Sequence, residues 1–152
     1  MRRADAPPVL FSLPVRVYYQ DTDAGGVVFH AHYLNFFERA RTEWLRHLGF
    51  DLGVMAREGL LFIVREVRVS YSRPALLDDA LTVTVGVEHL GRAQFTLEQR
   101  VERGGERLVH GSVNLGCVGA GDFRPLRIPD SLRAALIAHH VSAPGPLLTE
   151  DG

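Results

Sequence analysis

The stretch "YYQDTDAGGVVFHAHYLNFFERARTEWLRHLGF", residues 18–50, joins a glycine-containing loop to a strongly patterned segment. Apolar and aromatic side chains recur at helical spacing over residues 32–48, and charged side chains occupy the rest of the turn. Gly49 follows as a helix stop signal. This pattern predicts the longest apolar-striped helix in the chain, and we expect it to be the core helix of the fold.

The loop ahead of this helix carries two carboxylates, Asp21 and Asp23, followed by two glycines. No Ser, Thr, Asp or Asn stands in the few residues just before the helix, where a capping side chain normally lies. Backbone N–H groups at an uncapped helix start point outward at the positive end of the helix dipole. We therefore interpret the loop as a candidate site, in which a carboxylate and the bare helix start near His30 face one carbonyl.

The remaining chain is dominated by a pattern of period two, which is typical of strands. Tight-turn residues at 90–92 and 104–105 separate these segments. Strands are predicted at 13–19, 61–72, 80–90, 93–103 and 106–119, and a last short helix at 129–140. The order of one strand, one long helix and a single meander of four antiparallel strands predicts an α+β fold. We expect a five-stranded, mainly antiparallel sheet wrapped around the long central helix.

Composition limits the classes of function. The chain has 152 residues, enough for one domain, and its net charge of −1 gives no basic surface for nucleic acid. The sequence contains no lysine, which excludes mechanisms that need a P-loop lysine or a Schiff base. The single cysteine, Cys117, cannot form an internal disulfide, and no run of apolar residues is long enough to span a membrane. A cytoplasmic protein is expected.

The Pro- and Gly-rich ends, residues 1–10 and 142–152, are predicted to be flexible tails. The folded domain is therefore expected to span residues 11–141. No cofactor is expected. His30 and His32 form a His-Ala-His sequence, but no further His, Cys or Asp cluster has the spacing of metal ligands, so no metal site is predicted.

Residues 15–50 closely resemble the signature of the YbgC-type acyl-CoA thioesterases, and residues 62–83 continue the match. These proteins are relatives of 4-hydroxybenzoyl-CoA thioesterase, have the hotdog fold and are associated in many bacteria with the Tol-Pal operon. The resemblance implies an enzyme that hydrolyses acyl-CoA, with acyl carrier protein thioesters as a further candidate substrate class. It also implies a homodimer or a dimer of dimers, with sheets joined edge to edge and sites at the subunit interface.

The resemblance also implies roles for individual residues. Asp23 aligns with the family's catalytic carboxylate, as either the nucleophile or the base that activates water. His30 aligns with the residue whose backbone N–H polarises the thioester carbonyl, whereas Asp21 is expected to accept backbone hydrogen bonds in the turn. Further substrate contacts are predicted at Gly25, Gly26 and Val27. Arginines in predicted turns could bind the CoA phosphates, although an ordinary solvated surface explains them equally well: Arg92, Arg124 and Arg127.

Other functions remain open at this stage. A non-catalytic acyl-binding or interaction module of an envelope-associated assembly could use the same fold, but it has no need for the Asp23 carboxylate beside an electrophile. A hotdog dehydratase is disfavoured because its His-Phe-Pro loop is missing. An aspartyl phosphatase shares the Asp-x-Asp pattern, but its downstream lysine is absent. An edge strand at 61–72, long and with few charges, independently favours an oligomer.

Overall fold

A computed structural model describes residues 11–139 and the backbone of residues 149–150. The described residues form three helices and six strands, with 3-10 turns at Tyr19–Asp21 and His30–His32. In chain order they are β1 (Phe11–Arg16), α1 (Tyr33–His47), α2 (Leu52–Arg57), β2 (Leu60–Tyr71), β3 (Ala80–Gly91), β4 (Gln94–Arg103), β5 (Glu106–Gly119), α3 (Asp130–Ala138) and β6 (Thr149–Glu150). Apart from β6, the predicted tails lie outside the described residues.

The sheet confirms the predicted α+β class. Five strands pair antiparallel in the order β1-β3-β4-β5-β2, and the short β6 pairs parallel with β3. The predicted single meander is wrong in one respect, because β2 pairs with β5 and not with β3, its successor in sequence. Only β3, β4 and β5 form a meander, since only they are joined by tight hairpin turns.

Two further boundaries differ from the predictions. The first strand ends at Arg16 rather than continuing to residue 19, because Asp21 accepts a hydrogen bond from the Tyr18 amide and draws the chain into a 3-10 turn. The helix α2 was not predicted. It begins after Asp51, whose side chain accepts a hydrogen bond from the Val54 amide at 3.0 Å, so an Asp N-cap signal was present.

The long helix α1 packs against the inner face of the sheet. Its buried residues follow the predicted stripe: Tyr33, Phe36, Phe37, Ala40, Trp44 and Leu45. Gly111 of β5 lies directly beneath the Phe37 ring, and a Cβ added there would lie 2.9 Å from Cζ of that ring. The fully buried Gln99 of β4 donates a hydrogen bond to the Phe37 carbonyl at 3.0 Å, which fixes the helix to the sheet.

The strand β2 forms one edge of the sheet. Among the described strands it pairs only with β5, so the backbone groups along its other side are unpaired. Its helix-facing side chains include Val64, Val67 and Tyr71, which remain 49%, 36% and 49% exposed. A long edge of this kind, with an uncovered apolar face, is suited to pairing with another chain. No helix in the described part of the chain is long and apolar enough to cross a membrane.

Candidate active site

Asp23 begins a tight hairpin loop. Its amide donates to the Val27 carbonyl at 2.9 Å, and its own carbonyl accepts from the Gly26 amide at 3.1 Å. Gly26 has φ of +79°, a left-handed conformation that favours glycine. Asp23 Oδ1 accepts a hydrogen bond from the Gly25 amide at 2.8 Å, a contact typical of Asp in turns. Oδ2 accepts none from the described residues, so one oxygen of this exposed carboxylate is free to act.

The second arm of the hairpin leads to His30. Thr22 and Val28 form a bridge across it, and the Phe29 amide donates to the Asp21 carbonyl at 3.2 Å. The chain then enters the 3-10 turn that precedes α1. No side chain caps the first residue of this turn or the first residue of α1. Within the described residues, the amides of His30 and Ala31 have no hydrogen-bond acceptor. Two N–H groups are therefore available to a carbonyl oxygen at the positive end of a helix.

Tyr71, the last residue of β2, holds the His30 backbone from the other side. Its hydroxyl donates to the His30 carbonyl at 2.8 Å, and its ring packs edge-on against the rings of His30 and Tyr33. Tyr71 is not among the site residues that the sequence predicts. Its role depends on β2 ending beside the start of α1, and no local pattern in the sequence encodes that tertiary relationship.

Asp21 lies beneath the loop and is only 2% exposed. Its Oδ2 accepts from the Tyr18 amide at 2.8 Å, and its Oδ1 lies 2.6 Å from Nε2 of His32. Nδ1 of His32 in turn lies 2.9 Å from the side-chain nitrogen of Asn35. An Asn35 amide that donates to Nδ1 leaves the proton on Nε2, where it is donated to Asp21. Asp21 therefore accepts a backbone hydrogen bond, as expected from the sequence. The hydrogen bond with the His32 side chain was not predicted.

The connection between β2 and β3, residues 72–79, forms backbone hydrogen bonds with the second arm of the Asp23 hairpin. The Val28 amide donates to the Ala75 carbonyl at 2.9 Å, and Val27 forms a bridge with Leu76. Asp79 closes this connection by accepting from the Leu76 amide at 2.8 Å and from Arg103 at 2.6 Å. Burial alone would raise the pKa of Asp79, but the hydrogen bonds from Leu76 and Arg103 outweigh it and lower that pKa.

The predicted site residues fall into two groups. Asp23, His30 and the glycine-turn residues share the hairpin, at the end of the sheet where β2 finishes. The three arginines lie at the opposite end, where β2 begins: the Ile128 amide donates to the Arg92 carbonyl, and Gly119, paired with Leu60, donates to the Arg124 carbonyl. All three arginine side chains are exposed, and Arg127 lies 3.4 Å from Asp130. One chain therefore does not bring the two groups together.

Across the residues that the structure describes, no three His, Cys, Asp or Glu side chains are grouped as a metal site would require. The groups that remain are one free carboxylate oxygen and two free backbone N–H groups. Together they can supply a nucleophile or base and an oxyanion site, which are the needs of acyl transfer.

Comparison with known proteins shows the family to which the chain belongs. Residues 17–136 match the family model of the thioesterase-like superfamily. The chain belongs to this family. It is 46% identical over 132 residues to the acyl-CoA thioesterase YbgC of Haemophilus influenzae, a match that covers 86% of this chain and 96% of that protein. It is 41% identical over 126 residues to the acyl-CoA thioester hydrolase YbgC of Escherichia coli O157:H7, covering 82% and 94%.

Solved structures give the same result for the fold. A probable thioesterase from Bartonella henselae superimposes with a TM-score of 0.76 at 38% identity, covering 80% of this chain and all of that one. A 1,4-dihydroxy-2-naphthoyl-CoA thioesterase from Synechocystis superimposes with a TM-score of 0.78, although only 18% of residues are identical. The sheet wrapped around α1 is therefore a hotdog fold, as the sequence predicts.

Proposed function

We propose that this protein is an acyl-CoA thioesterase, which uses water to cleave the thioester into a free acid and CoA. The observation that carries the proposal is the hairpin on which a free carboxylate oxygen of Asp23 and the unpaired amides of His30 and Ala31 occur together. The relatives named above act on acyl-CoA, and this chain covers nearly their whole length.

Asp23 supplies the reacting group in this proposal. In one route its carboxylate attacks the thioester carbon and the resulting anhydride is hydrolysed. In the other it removes a proton from water, which attacks instead. In both, negative charge develops on the carbonyl oxygen, and the N–H of His30 donates to it. The C–S bond then breaks and the CoA thiolate takes up a proton. Gly25, Gly26 and Val27 shape the loop against the substrate.

The active unit in this proposal is a dimer joined through β2. The free edge and the exposed apolar side chains of β2 support an isologous contact, in which the two β2 strands pair antiparallel about a two-fold axis. Such pairing places the start of the partner's β2, with its arginine-bearing loops, beside the end of β2 that carries the Asp23 hairpin. Arg92, Arg124 and Arg127 could then bind the phosphates of a CoA held across the interface. A cytoplasmic location suits this substrate.

Release of thiol from a panel of acyl-CoAs tests the activity. Purified protein is mixed with short aliphatic, long aliphatic and aromatic acyl-CoAs, and with acyl carrier protein thioesters. We expect hydrolysis of at least one acyl-CoA class well above the protein-free blank. Hydrolysis of none of them would contradict the proposed function.

The dimer has its own test. Val67→Glu places a charge near the proposed two-fold axis and should produce a monomer with little activity, because the interface site is lost. Ile137→Glu is the matched control, since Ile137 on α3 is 50% exposed and lies away from β2. Light scattering and thiol release are measured on both variants. A fully active Val67→Glu monomer would contradict the interface site.

A further inference from the structure

The peptide unit between His30 and Ala31 carries two polar groups with different surroundings. Its carbonyl belongs to His30 and accepts a hydrogen bond from the Tyr71 hydroxyl at 2.8 Å. Its N–H belongs to Ala31 and has no acceptor among the described residues. The peptide bond is trans, so the carbonyl and the N–H point to opposite sides of one planar unit. The N–H can therefore bind a ligand while the carbonyl stays bonded to Tyr71.

A hydrogen bond to a peptide carbonyl changes the N–H at the other end of the same unit. A donor at the carbonyl oxygen draws electron density toward that oxygen, which increases the double-bond character of the C–N bond and leaves the nitrogen more positive. The N–H becomes a better donor, as in chains of hydrogen bonds that polarise one another. The Tyr71 hydroxyl therefore strengthens the amide of Ala31, whereas the amide of His30 belongs to the preceding peptide unit.

The surroundings of Tyr71 hold its hydroxyl in place. Its ring packs edge-on against the rings of His30 and Tyr33, with centroid separations of 6.5 Å and 5.6 Å. Tyr33 is buried, and its hydroxyl accepts from the Ala75 amide at 3.0 Å. Tyr71 itself is the last residue of β2 and pairs with Val109 of β5. Its hydroxyl therefore reaches the start of α1 from a residue that the sheet fixes.

The Ala31 N–H belongs to the same group of donors as the His30 N–H. His30 and Ala31 are the first two residues of the 3-10 turn, and the next amide, that of His32, is already bonded to the Phe29 carbonyl. N–H groups in the first turn of a helix point toward its N-terminal end. A carbonyl oxygen that accepts from the His30 amide therefore faces the Ala31 amide as well. Two such donors are the usual composition of an oxyanion site in acyl transfer.

We propose that Tyr71 is a positioning residue for the thioesterase reaction: its hydroxyl polarises the His30–Ala31 peptide, so that the Ala31 N–H is a second donor to the oxyanion. The inference rests on the proposed function and adds two groups to its site. The Ala31 N–H touches the substrate oxygen, whereas Tyr71 acts only through the peptide. Because the charge on that oxygen develops in the transition state, the contribution of Tyr71 appears in kcat and not in KM.

Two Tyr→Phe variants test the inference by thiol release. Tyr71→Phe removes only the hydroxyl and keeps the ring that packs on His30 and Tyr33. We expect kcat for an acyl-CoA to fall ~3- to 10-fold with KM nearly unchanged, a smaller loss than removal of an oxyanion donor itself would cause. Tyr33→Phe is the matched control, since it removes a hydrogen-bonded hydroxyl from the same cluster without touching the His30–Ala31 peptide. It should lower the midpoint of denaturant unfolding more, because the Ala75 amide loses its acceptor, and lower kcat less.

Nuclear magnetic resonance measures the peptide directly, because His30–Ala31 is the one place in the sequence where alanine follows histidine. Protein labelled with ¹³C at the histidine carbonyl and ¹⁵N at alanine therefore gives a single carbonyl–amide cross-peak. Tyr71→Phe should move this peak upfield in both dimensions, whereas Tyr33→Phe should leave it near its wild-type position.

Three outcomes would overturn the inference and leave the proposed thioesterase intact. They are an unmoved cross-peak in Tyr71→Phe, a kcat of this variant equal to that of the wild-type protein, and an equal fall in kcat in both variants, which would make Tyr71 structural. If the wild-type protein hydrolyses no acyl-CoA, the proposed function fails and this inference fails with it.

Discussion

The imidazole Nε2 of His32 lies 2.6 Å from Oδ1 of the buried Asp21, and this contact joins the base of the Asp23 hairpin to the start of α1. Asp21 belongs to the turn before the hairpin, whereas His32 is the residue before the helix. The contact therefore fixes the spacing between the arm that carries Asp23 and the arm that carries His30. Catalysis by positioned donors depends on such spacing, because a misplacement of 1 Å is costly.

Asp21→Asn is expected to act mainly through stability. Both oxygens of Asp21 accept hydrogen bonds, and an Asn side chain would turn its NH₂ group toward one of the two donors. We expect a loss of about 1–3 kcal/mol in the free energy of unfolding, measured with denaturant. His32→Gln is the milder control, since glutamine still offers a donor. An Asp21→Asn protein with native stability but no activity would show that the wrong aspartate is assigned to catalysis.

His30 is expected to act through its backbone. Its imidazole is exposed and makes no hydrogen bond to the described residues, so His30→Ala should keep much of the activity. His30→Pro removes the N–H and should lower kcat by ~10²–10³-fold. Thiol-release kinetics on both variants separate the two roles. If His30→Ala were as inactive as His30→Pro, side-chain acid–base chemistry would replace the backbone role.

Gly111 is expected to be intolerant of any side chain. A methyl group at this position of β5 would collide with the ring of Phe37, a fully buried residue of α1. Gly111→Ala should therefore lower the free energy of unfolding by about 1–3 kcal/mol. Gly121→Ala is the matched control, because nothing lies within 4 Å of a Cβ built there. Equal stability of the two variants would contradict the close approach of helix and sheet.

Cys117 is expected to be unreactive in the folded protein. Burial raises the pKa of its thiol to about 11, so little thiolate is present at pH 8. A thiol-specific reagent should modify it only after unfolding. Because the thiol loses its proton more easily in the unfolded chain, it contributes a fall in stability as pH rises above about 8.5 toward 11. Cys117→Ala should lack this contribution, and rapid modification of native protein at pH 8 would contradict the burial.

The sequence predicted the fold because its strongest signals are local. The period of the apolar residues indicates α1 and the strands of the sheet, and turn residues indicate the hairpins that join β3, β4 and β5. The position of β2 beside β5 depends on a long connection and could not be obtained in this way. The same holds for contacts that need tertiary proximity, such as His32 with Asp21 and Tyr71 with the His30 carbonyl.

The candidate site likewise combines residues that have a local sequence signal with residues whose position depends on distant parts of the chain. Asp23 and the uncapped helix start could be singled out from a contiguous motif, and the structure places them on one hairpin. The three arginines could be predicted only as turn residues, and they lie at the far end of the chain's own sheet. In the proposed dimer their relation to Asp23 depends on a second subunit, which no local pattern in the sequence encodes.

The most direct measurement is the rate of thiol release by Asp23→Asn with an acyl-CoA that the wild-type protein hydrolyses. The substitution keeps the shape of the side chain and an oxygen that can accept from the Gly25 amide, but it removes the charge needed for attack or proton abstraction. We predict a fall in kcat of ~10²-fold or more, with unfolding and substrate binding nearly unchanged. Near-wild-type turnover by the purified, folded variant would contradict the assignment of Asp23 as the reacting carboxylate.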